Sequence, residues 1–527
     1  MTRAILRLLM IGSVLCTVPA CSLFPASSTL QGYAIEQQPL ANGLVQIRDA
    51  NGQVRTTTTR TDGFYRISSA QLTAPLLLSV SAQGNAEACH RNDQLRPICL
   101  ASVVMELEQT TQGNINPLTD RVTSDIAVAL GHIGPQQWVN QQGGVSVPTG
   151  AYQQALENLH SGFADALTQI GIDTTSFDAT RFPMERNSQL ADLLSLLHHN
   201  RNYDNNTGET GHATLSDFSF RPIVGLSATG AYERFDIVRA RAERNALAKA
   251  RTRIFIVGDS TSAVYEQLRF PRMGWGQVFE QEFTANSGIK VVTGSRAGRS
   301  SRDFYNGRWF AQMESLIQPG DYVFINHGHN DQNCDSNKPV RGMADVRNLC
   351  TYPNSDKGDP QFPANQPELS FQYSLERYIE IARSKGAIPV MFTPTARIKN
   401  ARGEQTTPVV HTHLIRAASG KHYLFTGDYT QTIKDVARKH QLPLIDLEAR
   451  SIEFANRVGN PGWKDYWLVV DPAINPFYAN NVSGSPQAPD GTHFQQRGAE
   501  AMAKLVAEEI RKQPALTALA KHVKGDR

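Results

Sequence analysis

The sequence predicts a chain of several domains, whose carboxyl-terminal half is α/β with a parallel sheet. A small β-sandwich and a helical region precede it. Three observations carry this. From Arg253 onward, short apolar runs of strand length alternate with stretches of helical period, the signature of a parallel sheet with helices on both faces. Before residue 107 the apolar period is two, and between 113 and 215 it is three to four. The 527 residues also exceed what one core organises.

The first residues read as a targeting segment. Arg3 and Arg7 flank and interrupt the apolar run AILRLLMIGSVLCTV, which stops at Val18-Pro19-Ala20-Cys21. That run is too short for a membrane span and suits a secretion signal over 1–21. It resembles a bacterial lipoprotein signal, which implies lipidation of Cys21, attachment to a membrane surface and, with Ser22 following, the outer membrane. Pro19 departs from the small residue usual there, and ordinary cleavage after Ala20 is the alternative. The other cysteines fit export: Cys16 leaves with the signal. Two short-range pairs remain, Cys89 with Cys99 and Cys334 with Cys350, which read as disulfides.

Residues 28–107 form the expected sandwich. GLVQIRD and QVRTTTTR flank Ala50-Asn51-Gly52, a hairpin signal, and FYRIS and PLLLSVSA follow. The pattern resembles carboxypeptidase regulatory-like or other immunoglobulin-like modules. Two readings stay open for it, a spacer or a carbohydrate-contacting module. Residues 113–215 carry three amphipathic runs, the last ending in His198 and His199, and then a polar loop over 203–215. The adjacent histidines suit a helix C-terminus better than a metal site. A connector over 216–247 ends in a charged helix, and the α/β domain spans 248–515.

In that domain the expected strands are Ile254–Val257, Lys290–Thr293, Tyr322–Asn326, Ile388–Phe392 and Leu444–Asp446. The expected helices include Gly276–Phe283, Ser370–Ser384, Tyr429–His440 and a closing Gln496–Arg511. Long insertions after Asp331 and Thr395 are expected to be active-site loops.

Four short stretches carry the chemistry. Gly258-Asp259-Ser260 ends the first strand, Ala297-Gly298-Arg299-Ser300 follows the second, and Gly328-His329-Asn330-Asp331 follows the third. Asp490-Gly491-Thr492-His493 lies near the end. Carboxyl ends of strands in open α/β sheets are where ligands bind. Ester cleavage by a serine needs an imidazole to take its proton, a carboxylate to orient that imidazole, and donors aimed at the tetrahedral oxygen. These stretches contain all three.

The set resembles the SGNH (GDSL-like) hydrolases and implies their flavodoxin-like three-layer fold. It implies Ser260 as nucleophile, His493 as base and Asp490 as its orienter. Ser260 N–H, Gly298 N–H and the Asn330 amide would form the oxyanion hole, with His329 as a supporting residue. IFIVGDST, Gly274-Trp275-Gly276, AGRSSRDF, GDYVFINHGHND and DGTHFQQRGAEAMA are similar to rhamnogalacturonan acetylesterases over roughly 250–512. Thr293 departs from an asparagine usual there. The resemblance implies an exported serine esterase that deacetylates a polysaccharide, with pectic rhamnogalacturonan first. Acetylated xylan, another glycan, a lipid ester, or a surface glycan-binding lipoprotein with a secondary hydrolase domain are the alternatives. Trp275 and Arg299 are offered as substrate contacts, with a packing or rim position as the other reading of Trp275. His411, His413 and His422 are expected in a polar lid or a substrate-contacting loop rather than at a metal. No metal or cofactor is called for. Net charge +3, with no polybasic tract, argues against a nucleic-acid partner.

Overall fold

In the computed structural model the described residues are 28–84, 86–90, 94–184, 189–203, 210–223, 234–334, 349–352, 365–415 and 427–525. The expected targeting segment with Cys21, and His422, lie outside them. Among the described residues no helix is long and apolar enough to cross a membrane.

The first region contains two facing sheets. One has the order Val54–Thr58, Leu44–Arg48, Leu76–Ser81, Cys99–Val104, and the other the order Phe64–Ser68, Thr29–Tyr33, Thr110–Gln112. Alternate residues point inward from both, so Leu30, Val45, Ile47, Tyr65, Leu78 and Val80 form a shared core. The last strand of this unit lies beyond residue 107. The disulfide Cys89–Cys99 ties the last long strand to the loop before it.

The next region begins with the helix Pro117–Ala129. Asn116 caps it by accepting from the N–H groups of Leu118 and Thr119, and Thr119 Oγ1 accepts from Asn116 N–H. It packs on Thr149–Gln169. Here the structure departs from the expected helix through His198 and His199. The helix Gln189–Leu194 stops, and Leu197–Tyr203 pairs antiparallel with Thr210–Asp217. Tertiary partners outweigh helical propensity. His198 stacks on Phe220 with centroids 3.9 Å apart, and His199 bonds to the buried Asp120 at 2.8 Å. Burial alone would push the Asp120 carboxyl up, but Arg201 and His199 outweigh it and hold it down at about 2.

The carboxyl-terminal half is an all-parallel sheet in the order Ile289–Thr293, Thr252–Gly258, Tyr322–Asn326, Ile388–Phe392, Leu444–Ile445. In chain order of strands this is 2-1-3-4-5, the flavodoxin-like order. Trp275, Phe279, Met502 and Val506 cover one face. Phe304, Leu375, Ile379 and Ile433 cover the other, in a core continuous with Leu118, Phe163 and Leu197 of the preceding region. The closing helix Gln496–Lys512 is followed by residues that fold back, where Val523 bridges Phe283.

Candidate active site

Three sheet strands deliver the first three motifs to one edge. The first strand is buried over its last six residues and ends at Gly258. A Cβ at Gly258 would lie 2.5 Å from the Asn326 carbonyl oxygen, so only glycine lets the first and third strands close together under Ser260. The Asp259 carboxylate is wholly buried and accepts from Thr261 N–H, Thr261 Oγ1 and His329 N–H at 3.0, 2.9 and 3.2 Å. It thereby joins the serine turn to the Gly328–Asp331 turn.

His493 arrives from the far end of the chain. Its Nε2 lies 2.9 Å from Ser260 Oγ, and its Nδ1–H donates to Asp490 Oδ2 at 2.7 Å. Asp490 and His493 sit on the short strand Asp490–Gln495 rather than on a free loop. Three residues apart on a regular strand, they would face opposite sides. The pairing is irregular instead: Leu468 stands opposite Asp490 while its neighbour Trp467 stands opposite Phe494. The intervening residues bulge, and Asp490 Oδ1 gathers the N–H groups of Thr492 and His493 at 2.9 and 3.1 Å. Both side chains therefore turn toward Ser260.

Burial, then the positive charges of Arg272 and Arg397, hold the His493 imidazole below its ordinary value, against the pull of Asp490. The imidazole is thus neutral and able to accept a proton near pH 7. Asp490 is pushed up by burial, but its bonds to His493 and the backbone prevail and hold it well below the usual carboxylate range.

Gly298 has φ of +73°, a conformation that side chains avoid. Asn330 follows the third strand, and its Nδ2 donates to the Arg299 carbonyl at 3.3 Å, which joins the second and third motif loops. Two expected substrate contacts are corrected. Trp275 is wholly buried: its indole N–H donates to Asn326 Oδ1 at 3.2 Å and its ring stacks on Phe392. Arg299 is also buried, paired with Asp303 at 3.2 Å. Both brace the site from beneath. Thr293 supports it too, donating to the Gly276 carbonyl at 2.8 Å.

Other supporting contacts were not foreseen from the sequence. The Tyr265 hydroxyl donates to the Ser260 carbonyl at 2.8 Å, and Arg272 donates to that hydroxyl at 3.1 Å while lying 4.5 Å from the ring centroid. Asp331 accepts from Ser301 N–H and Oγ, both at 2.7 Å. The insertion after Thr395 reaches the site: Arg397 donates to the His329 carbonyl at 2.8 Å, and Ile398 N–H to the Gly491 carbonyl at 2.8 Å. Within it His413 is wholly buried, not part of an exposed lid. Ligand atoms of His411, His413 and Glu448 lie within 4.8 Å of one another. They already pair, His413 Nδ1 with Glu448 Oε1 at 2.5 Å and His411 Nδ1 with Glu448 Oε2 at 2.9 Å, and His411 also meets Asp428 at 3.1 Å. The disulfide Cys334–Cys350 closes the other insertion.

A hydroxyl, an imidazole and a carboxylate in series at the carboxyl edge of this sheet can perform acyl transfer, and with the fold they define the SGNH type of hydrolase. The profile of the family described as GDSL-like Lipase/Acylhydrolase matches residues 254–506. Rhamnogalacturonan acetylesterase RhgT of Bacillus subtilis is 31% identical over 258 residues, 49% of this chain and 88% of the relative. Probable rhamnogalacturonan acetylesterase YesY of the same organism is 28% identical over 49% of this chain and 92% of its own length. The crystal structure of B. subtilis YxiM aligns with a TM-score of 0.34 at 18% identity, over 58% of this chain and 66% of that one. The chain belongs to the GDSL-like lipase/acylhydrolase family and is a carboxylic ester hydrolase.

Proposed function

We propose that this chain is an exported serine esterase that removes O-acetyl groups from a polysaccharide, with pectic rhamnogalacturonan as its substrate. The observation that carries the chemistry is the series Ser260 Oγ, His493 and Asp490 at 2.9 and 2.7 Å. Ser260 attacks the acetyl carbonyl as His493 takes its proton. The N–H groups of Ser260 and Gly298 and the Asn330 amide hold the oxyanion. His493 returns the proton to the departing sugar hydroxyl. A water activated by His493 then hydrolyses the acetyl-enzyme. The substrate reading is supported by the names of RhgT and YesY and by the shared motifs. The amino-terminal signal supports export, with Cys21 lipidated and the enzyme held at the outer membrane, facing the periplasm or the surface.

Acetate release from acetylated rhamnogalacturonan, acetylated xylan and an aryl acetate tests this reading, comparing wild type with Ser260→Ala. Serine-dependent release strongest on rhamnogalacturonan is expected. Preference for xylan moves the substrate to another acetylated glycan, and no release from any ester rejects the mechanism.

A further inference from the structure

A cleft of about 550 Å3 is lined by Arg296 and Ala297, just before Gly298 in the chain, and part of its wall does not come from the esterase domain. Tyr265, Arg269, Arg296 and Ala297 stand on the esterase side. Facing them are Arg121, from the helix Pro117–Ala129, with His212 and Thr214 from the strand Thr210–Asp217. The size falls within the range of about 300–1,000 Å3 usual for ligand sites. The cleft neighbours the serine turn: its lining residue Ala297 precedes Gly298 in the chain, and its lining residue Tyr265 donates to the Ser260 carbonyl at 2.8 Å. At its base Arg299 donates to Asn202 of the upstream region at 3.4 Å, which ties the two walls together. A polymer with one ester at Ser260 therefore has room to continue between them.

The charges in this cleft are uneven. Arg269 is answered by Glu266 at 2.6 Å, and Arg121 and His212 share Asp125 at 3.2 and 2.6 Å. Arg296 has no carboxylate partner among the described residues. Its guanidinium lies 4.8 Å from the centroid of Trp309, and Arg299 lies over the same ring at 5.5 Å. Burial, and then the charge of Arg299, lower the Arg296 pKa to about 10, and the attraction of Glu266 offsets them only in part. A guanidinium stacked on an aromatic face and held at a cleft wall is suited to a planar carboxylate.

We infer that this cleft is a composite glycan subsite, in which Arg296 binds the carboxylate of a hexuronate unit of the substrate chain and the upstream region supplies the opposing wall. The identity of that chain as the acetylated substrate rests on the function proposed above. The inference gives residues 113–215 a task that the ester chemistry alone does not require.

Titration calorimetry of the full chain with unacetylated oligogalacturonate tests this without any turnover. Saturable binding is expected, at least tenfold weaker in Arg296→Gln and in Thr214→Trp, which fills the upstream wall, and at least tenfold weaker for a neutral xylo-oligosaccharide. Absence of binding to wild type, equal affinity of Arg296→Gln, or equal affinity for the neutral oligosaccharide would overturn the inference. Melting curves of both variants show whether they fold, and Arg296, on a partly exposed loop, carries the test if Thr214→Trp does not. Aryl acetate turnover by wild type is measured beside it. A protein that binds oligogalacturonate through Arg296 but cleaves no ester would reject the esterase mechanism and leave the subsite standing.

Discussion

His493 Nε2 lies 2.9 Å from Ser260 Oγ, although 233 residues separate the two in the chain. Ser260 is placed by the first strand of the sheet and His493 by a bulged strand near the end, so the whole domain must fold before the pair exists. The hydroxyl bonds to His493, and the turn around it is held by Asp259 and Tyr265 through backbone and other side chains. Replacing Ser260 by Ala should therefore lower ester turnover by about 10³-fold or more, with an unchanged melting curve. Stopped assays on purified, folded protein check this.

Asp490 fixes the tautomer of His493 through one oxygen and the turn's N–H groups through the other. Asp490→Asn keeps the second role and presents the wrong group to the first. A fall in kcat of about 10³–10⁴-fold is expected, with little change in KM on a small aryl acetate.

The acid limb of kcat/KM should follow His493 and lie below the ordinary imidazole value, because burial and Arg272 disfavour the imidazolium. Removing a nearby positive charge favours protonation. Arg272→Gln should move the limb to higher pH, and Asp490→Asn should move it to lower pH. A pH–rate profile of the three proteins reads both directions.

Asp331 is wholly buried, and burial, with the nearby Asp259 charge adding to it, outweighs the bonds from Ser301 and raises its carboxyl to about 7. Folded protein then binds the proton more tightly than unfolded chain. The stability it contributes is complete below the unfolded value of about 4 and is lost as pH rises through about 7. In Asp331→Asn the fall in melting temperature between pH 5 and pH 8 should shrink, which thermal melts at the two pH values measure.

Gly258 admits no side chain, since its Cβ would meet the Asn326 carbonyl at 2.5 Å, and backbone on a central strand yields little. Gly258→Ala should cost about 1–3 kcal/mol by denaturant unfolding and depress turnover by displacing the serine turn.

The strand at Ile254–Val257, the alternation after it and the four motifs were legible because each is local. A buried strand is a run of apolar residues, and a turn is marked by its glycine. The resemblance then tied Asp490 and His493 to Ser260 across a distance that no periodicity spans. Trp275 and Arg299 were misread for the opposite reason. Motif proximity suggested contact with substrate, whereas burial depends on what packs above, here Phe392 for Trp275 and Asp303 for Arg299. His198 and His199 continue a helical pattern, yet Phe220 and Asp120 draw them into a strand. The cleft between Arg296 and the upstream strand was likewise invisible, because its walls lie far apart in the chain. Local pattern specifies strands, turns and reactive residue types through short-range sterics and hydrophobic period. Which side chains end beneath the surface, and which meet across the cleft, follows from long-range packing that only the assembled chain possesses.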